Sequence, residues 1–461
     1  MAPYLFPYPV PGSVTFSTLL LDRSGTYTTQ LAEATVARTR LQAALKAAAD
    51  GQPGSSALAV LEVYHPYLLA IMSCIDGDDL LYKGDPVFPW RPALTSYHLS
   101  TPTLSLPTIQ VEHYFVLLVH TIALANYAHS ILDGLPQFEA KGGQAPIITK
   151  EDEQKTSAGL TRAVDLLSQA AGIAEYTAEN ITPQLDAGRT TTGGRLGKYR
   201  WPVETGGEAM TGLSMILLAD AHVTAIRKLL LPILSHTLFA PPGPPLPASH
   251  PSPSLLGKLY LHVSNLYSSA SSLLVIPTNQ QSNSSGSLLR RKKSDEIDSI
   301  DEDLIVELKR YLKKEAKLSK GLSYKYLGID EASKSLGQSL ALLQESGRCL
   351  EDLKDSKLES KMKGLNFNKD KKKAEAVRNL RQSRIDREYY SVQAWLQANK
   401  KLNDTVNFER VPPFQEVVIP PGRPIFSAKK YTLPKLKFAP SHIEEEEEKQ
   451  EAEYAGRGNY F

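Results

Sequence analysis

Apolar residues recur at helical spacing through most of the first 75 positions of the chain. Ala32, Val36, Leu41 and Leu45 fall close to one face of a helix. The segment 51–54, with two glycines and a proline, interrupts this pattern and predicts a break between two helices. The pattern then resumes at Leu58, Leu61, Tyr64, Leu68, Ile71 and Met72.

The same periodicity predicts further helices along the rest of the chain. Residues 108–134 are apolar on most sides, which is typical of a helix buried in the interior. Residues 152–181 have one apolar face, and Thr205–Glu208 has the sequence of a capping box that would open the next helix. The remaining predicted helices span residues 208–238, 254–275, 301–327, 330–356 and 371–403.

Irregular segments separate these helices. Residues 1–28 are predicted to be extended, and the alternation in Ser13–Leu19 favours a short strand there. Residues 76–107 are predicted to form a long connector. Residues 277–298, rich in Ser, Asn and Gln, indicate a disordered insertion. The fold class is therefore all-α, with helix hairpins packed side by side as in a bundle or an α-solenoid.

The composition excludes several classes of function and of site. The chain has 461 residues, 42% of them hydrophobic, and its 52 Lys and Arg against 50 Asp and Glu give a formal net charge of +2. This balance excludes a protein that binds polyanions over its whole surface, and we predict no nucleic-acid partner. The two cysteines, Cys74 and Cys349, are too isolated in the sequence for a disulfide framework or a cysteine-based zinc site.

Targeting and membrane-spanning signals are not evident in the sequence. The start of the chain lacks a basic and apolar leader, and the most apolar window, residues 114–125, is predicted to be too short to span a membrane. We therefore expect a soluble, intracellular protein.

The sequence contains no complete motif for catalysis, cofactor binding or metal binding. The glycine-rich segment Gly193–Lys198 has three residues between its outer glycines instead of the four of a phosphate-binding loop. No nucleophile motif is present, and His113 and His120 lie on one face of an apolar helix, where core histidines are the more common interpretation. We predict no catalytic residue, no cofactor and no metal site, and hence no enzyme.

Two further segments keep alternative interpretations open. The basic stretch 369–387 could bind phosphates or anionic lipid, but interleaved acidic residues favour a solvated helix face. The prolines in 241–247 could form a polyproline ligand, although a loop between helices is the simpler interpretation.

Four segments, in order, resemble the Bro domain family of ALIX-like proteins. The most specific match is the last, in which Asn403, Asp404, Val411 and Pro412 stand where the family has Asn-Asp-x-Ile-Tyr-x-x-x-Val-Pro. A further segment, Gly321–Asp330, is similar to a fungal branch of the family that acts in the ambient alkaline-pH response. The four matching segments are Leu61–Ile71 with Phe88–Arg91, Leu213–His222, Leu255–Leu259 and Leu402–Pro412.

The resemblance implies an elongated, boomerang-shaped domain with a core of tetratricopeptide-like helix hairpins. It places the domain over residues 15–425, after an extended segment 1–28 and before a disordered acidic tail, 426–461. It also implies that an apolar groove binds the C-terminal helix of an ESCRT-III subunit of the Snf-seven class. By position, the partner-binding residues would be Leu255, Leu259, Lys228 and Ala225, the last replacing a Phe of ALIX-like members.

The function implied by the resemblance is a non-enzymatic scaffold of the fungal alkaline-pH pathway. It would join the ESCRT-III subunit to the pH-receptor complex. It would be recruited from the cytoplasm to cortical sites of the plasma membrane or to endosomes, and would associate with membranes peripherally, through its partners only. Two alternatives remain at this point. One is a general ALIX-like adaptor of endosomal sorting, and the other is a helical-repeat module that binds peptides.

Overall fold

The computed structural model describes residues 3–49, 55–97, 100–136, 149–191, 201–234, 241–274, 303–354 and 369–440. Long helices dominate these residues. In chain order the α-helices are α1 (Phe16–Leu19), α2 (Thr28–Ala49), α3 (Ser55–Asp76), α4 (Ile109–Asp133), α5 (Lys150–Tyr176), α6 (Thr182–Thr191), α7 (Gly207–Leu230), α8 (Pro253–Leu274), α9 (Val306–Glu331), α10 (Leu336–Glu351) and α11 (Lys369–Leu402).

The long helices form a row in which each packs against the next. Helix α2 packs on α3, α3 on α4, α4 on α5, α5 on α7, α7 on α8, α8 on α9, α9 on α10 and α10 on α11. Most of the apolar residues that the sequence places on helix faces are buried between these neighbours. On α2, Leu41 and Leu45 of the predicted face are buried, whereas Ala32 and Val36 are exposed. The all-α prediction with side-by-side helix packing is thereby confirmed.

Helix α4 is longer than the apolar window within it. The structure continues the helix over Ile109–Asp133, so the prediction that this stretch is too short to span a membrane is wrong on length. By length and composition alone, Ser56–Asp76, Ile109–Asp133 and Gly207–Ile233 could each cross a membrane. In the fold, 72% of the apolar window of Ile109–Asp133 is buried. Packing against neighbouring helices therefore accounts for its apolar composition.

Short antiparallel strands pack against α2, α3 and α4. Strands β1 (Val10–Pro11), β4 (Val87–Arg91) and β6 (Leu104–Pro107) form one sheet in the order β1-β4-β6. Two further pairs complete the strands, β2 (Leu20–Asp22) with β3 (Leu80–Tyr82), and β5 (Thr95–Ser96) with β7 (Asp303–Leu304).

These strands correct two predictions for the N-terminal part of the chain. The connector 76–107 contains β3 to β6 rather than irregular chain. The strand predicted over 13–19 is wrong, because Phe16–Leu19 forms the helix α1 and the strand β2 follows it. The partners of β1 and β2 lie about 60 to 80 residues away in sequence, and local alternation carries no information about such pairing.

The predicted helix-capping motif also needs correction. Thr205 lies in a short 3-10 helix and its hydroxyl donates to the carbonyl of Pro202. Gly206, not Thr205, precedes α7, so the predicted capping box does not form. A capping box forms instead at α5, where Thr149 and Asp152 bond to each other's backbone N–H.

The described C-terminal residues form an extended segment that crosses the helix row. We call residues 420–438 the C-terminal strap. Its backbone N–H groups donate to carbonyls on α8, α5 and α3, and to a side chain on α7. Residues 426–440, which the composition assigns to a disordered tail, are therefore packed on the domain. The rest of that tail, 441–461, and the predicted insertion 277–298 lie outside the described residues.

A buried carboxylate ties the N-terminal helices together. Glu112, in the first turn of α4, is fully buried and accepts hydrogen bonds from three side chains. Arg38 of α2 donates from Nε at 2.8 Å, Tyr64 of α3 from its hydroxyl at 2.6 Å, and Trp90 of β4 from Nε1 at 2.7 Å. The Glu112 carboxylate raises the pKa of the Arg38 guanidinium well above its usual range against the opposing effect of burial.

We expect Glu112→Ala to lower the free energy of unfolding by about 3–5 kcal/mol, because Arg38 would stay buried without its counter-charge. Chemical denaturation of the purified chain measures this loss. The matched control is Lys334→Ala, which removes a surface pair with Asp330 and should change stability little. Equal stability of Glu112→Ala and the unchanged chain would contradict the role of this carboxylate.

Candidate functional site

The four predicted partner-binding residues lie on two adjacent helices. Ala225 and Lys228 are three positions apart on α7, and Leu255 and Leu259 are four positions apart on α8. Helices α7 and α8 pack against each other, so the fold brings the two pairs to the same part of the helix row. The four residues differ, however, in how much of each is exposed to solvent.

Leu259 is part of the core. Only 2% of it is exposed, and it belongs to the main hydrophobic cluster of the domain. It therefore supports the surface from beneath and cannot itself contact a docked helix, which corrects its prediction as a contact residue. Leu255 is half-buried and packs against the same cluster, so part of its side chain remains available.

The two positions on α7 are open to different degrees. Ala225 is half-buried and presents only a methyl group. Lys228 is exposed, and its Nζ donates to Thr161 Oγ1 on α5 at 2.8 Å. A cation thus stands at the edge of the surface, held by a single uncharged partner among its described contacts, where an acidic ligand can compete for it.

Sequence reasoning missed two apolar residues near this surface. Leu229, next to Lys228 on α7, is 41% exposed, and Ile425 of the C-terminal strap is also 41% exposed. Leu229 could be inferred from its spacing of four residues after Ala225. Ile425 could not, because only the fold brings residues 420–438 to α7 and α8.

The C-terminal strap borders the candidate surface. The N–H of Arg423 donates to the carbonyl of Lys258, three residues after Leu255 on α8, at 3.1 Å. Two residues later the N–H of Ile425 donates to Nε2 of His222 on α7, also at 3.1 Å. The ring of Phe426 stacks on the His222 ring with 4.4 Å between centroids.

A second polar cluster lies between α7, α8 and α9. Asp220 Oδ1 accepts hydrogen bonds from the hydroxyls of Tyr267 and Tyr311, both at 2.5 Å, while its Oδ2 is buried without a partner. Burial, opposed by these bonds, raises the pKa of Asp220 to about 7. The adjacent cavity of about 20 Å³ has room for roughly one water molecule and cannot hold a substrate.

Among the described residues, no group of three or more His, Cys, Asp or Glu side chains could hold a metal ion. His113 lies beside His65, with ring centroids 5.2 Å apart, and both rings are buried in the core. Burial lowers the pKa of His113 to about 4, as expected for a neutral core histidine. Cys74 and Cys349 are both buried.

The sequence and the fold agree with one protein family. A profile of the BRO1-like domain matches residues 21–453. The chain belongs to the BRO1-like domain family. Over its full length it is 48% identical to the pH-response regulator protein palC of Cryptococcus neoformans var. neoformans serotype D (strain B-3501A), and the alignment covers 100% of both chains. The resemblance inferred from the four sequence segments, including the fungal alkaline-pH branch, is confirmed.

Solved BRO1-like domains share the fold at low sequence identity. A complex of the ALIX BRO1 domain with CHMP4C superposes with a TM-score of 0.57 at 16% identity, covering 95% of this chain and 99% of that one. A Bro1 domain structure described as the basis for endosomal targeting gives a TM-score of 0.55 at 16% identity, with 93% coverage of both chains. The elongated Bro fold is thereby confirmed, and membership of this family makes the chain a scaffold or adaptor rather than an enzyme.

The different burial of Leu255 and Leu259 gives a stability prediction. Leu259→Ala should lower the free energy of unfolding by about 2–4 kcal/mol, because it leaves a cavity in the core. Leu255→Ala, at a half-buried position, should cost clearly less. Urea denaturation of the two variants side by side measures the difference, and a larger loss for Leu255→Ala would contradict this assignment of core and surface.

Proposed function

We propose that the chain is a non-enzymatic adaptor of the fungal alkaline-pH response. In this role it binds an ESCRT-III subunit of the Snf-seven class and links it to the pH-sensing complex at the plasma membrane. The observation that carries the proposal is the 48% identity, over the whole length of both chains, to a protein named as a pH-response regulator. The complex of the ALIX BRO1 domain with CHMP4C supports the class of partner.

The surface between α7 and α8 is suited to an amphipathic helix with acidic residues. Leu255 and Leu229 offer partly exposed apolar contacts, and Lys228 supplies a cation at the edge. An apolar face of the ligand would cover the leucines while its acidic side chains replace Thr161 as the partner of Lys228. Because Ala225 is small, the bound helix could approach α7 closely at that position.

We expect Leu255→Asp to weaken binding of a synthetic C-terminal helix from a fungal Snf-seven subunit by at least about tenfold, because it places a charge under the apolar face of the ligand. Lys228→Glu should weaken it by roughly 5- to 10-fold, since repulsion replaces attraction. Isothermal titration calorimetry or fluorescence anisotropy with the full chain measures both.

The matched control for this binding prediction is Val36→Asp. Val36 is 50% exposed on α2, away from the candidate surface, so the variant introduces the same charge at an exposed apolar position. Circular dichroism and thermal melts establish that each variant is folded. Unchanged affinity of folded Leu255→Asp and folded Lys228→Glu would remove this surface from the proposal.

A general endosomal-sorting adaptor is the second candidate, because the solved structures that share the fold are ALIX BRO1 and Bro1 domains. The two functions predict different locations. We expect a fluorescently tagged chain to be cytoplasmic at acidic external pH and to form cortical puncta after a shift to alkaline medium. Puncta on endosomes that do not change with external pH would favour the sorting adaptor instead.

A further inference from the structure

The C-terminal strap covers histidines on three helices of the row, α8, α7 and α4. His262 on α8 lies under Gly422, whose Cα would carry a Cβ only 2.8 Å from the His262 backbone nitrogen. His222 on α7 lies under Ile425 and Phe426. His120 on α4 contacts the ring of Tyr431, with centroids 6.2 Å apart.

The bond between His222 and Ile425 requires a neutral imidazole. His222 Nδ1 lies 2.7 Å from the carbonyl oxygen of Leu218, which can only accept, so Nδ1 carries the proton. Nε2 is then a lone-pair acceptor, as the N–H of Ile425 requires. A proton on Nε2 would make Nε2–H a donor facing the N–H of Ile425, which is also a donor. The hydrogen bond between them would then be lost.

The surroundings of His222 also oppose a positive charge. Burial, with a smaller contribution from His262, lowers the pKa of His222 from 6.5 to about 4, although the bond to Leu218 acts in the opposite direction. Burial lowers the pKa of His120 to about 4 and also lowers the pKa of His262. At neutral pH the docked strap therefore covers His222 and His120 in their neutral form.

The other charged groups on the elements around His222 are mostly cations. Lys258 on α8 and Arg423 and Lys429 on the strap carry positive charge, while Asp165 on α5 pairs with Lys429. On α7 itself, Asp220 turns to the opposite side and accepts from Tyr267 and Tyr311. Among the described residues, none of these groups provides a negative charge that could stabilise a protonated His222.

We propose that the C-terminal strap is a pH-dependent latch, which docks over neutral His222 at neutral and alkaline pH and is released as the histidines beneath it take up protons. The direction follows from proton linkage. A histidine freed from the strap binds protons more readily than the covered one, so the released state gains population as pH falls below about 6.5, and docking is complete above it. This inference concerns the chain by itself and does not depend on the proposed partner.

The contribution of His222 to this effect has an upper bound. If docking alone accounted for the change at His222 from 6.5 to about 4, a fall from pH 7.5 to pH 5 would raise the ratio of released to docked strap by up to about 30-fold. The covered parts of His120 and His262 would add to this in the same direction.

Hydrogen exchange of the full chain tests the latch directly. The N–H groups of Arg423, Ile425 and Lys429 all donate to the domain, so a peptide over 420–431 reports docking. After correction for the intrinsic pH dependence of exchange, we expect its protection to fall by up to about 30-fold between pH 7.5 and pH 5. Peptides from α4 should keep their protection over the same range.

A matched pair of substitutions isolates the imidazole. In His222→Gln the amide oxygen can still accept from Ile425 but does not titrate, so protection at pH 7.5 should persist and its loss at pH 5 should be clearly smaller than in the unchanged chain. His250→Gln is the control, because His250 packs on Tyr326 and takes part in none of the strap contacts described above. An equal loss of protection at pH 5 in His222→Gln and in the unchanged chain would overturn the proposal.

A reciprocal measurement keeps the test independent of overall stability at pH 5. Phe426→Ala removes the ring that stacks on His222 and should loosen the strap at every pH. By linkage, the pKa of His222 followed by NMR should then rise from about 4 towards 6.5. An unchanged His222 titration in Phe426→Ala, with the strap amides shown to exchange faster, would contradict coupling between the strap and the proton.

Discussion

Helix α4 must be covered on nearly every side, and the rest of the domain is arranged to do this. Its side chains from Ile109 to Ala125 are almost all buried, between α3 on one side and α5 on the other. Strand β4 closes over its first two turns, where Trp90 stacks on Phe115 with centroids 4.8 Å apart. A helix that is apolar all round is stable in this position only if its neighbours exclude water along its length.

The buried Glu112 fits the same constraint. A carboxylate within such a helix is tolerated because Arg38, Tyr64 and Trp90 satisfy its oxygens from three other elements. These bonds have fixed directions, unlike apolar contacts, so they set how α2, α3 and β4 are oriented on α4. The network therefore contributes geometric specificity at a point where apolar packing alone would allow sliding.

Periodicity predicted the helices because each buries one face against a neighbour in the row, and that pattern is local in sequence. The strap and the short strands were not predictable in this way. Their contacts join residues such as His222 and Ile425, 203 positions apart, and extended chain leaves no helical period to detect. The burial of Leu259 beside the half-buried Leu255 depends on where α9 packs, which spacing along α8 does not reveal.

The path of the strap also has a mechanical consequence. It leads the chain from α8 back across α7 and α5 to α3, where Phe438 packs between Tyr27 and Tyr67. A pull on the C-terminal end would therefore meet Phe438 first, then Tyr431 and Lys429, and the contact with His222 only afterwards. Tension from that direction would peel the segment away one contact at a time, rather than shear all of its contacts at once.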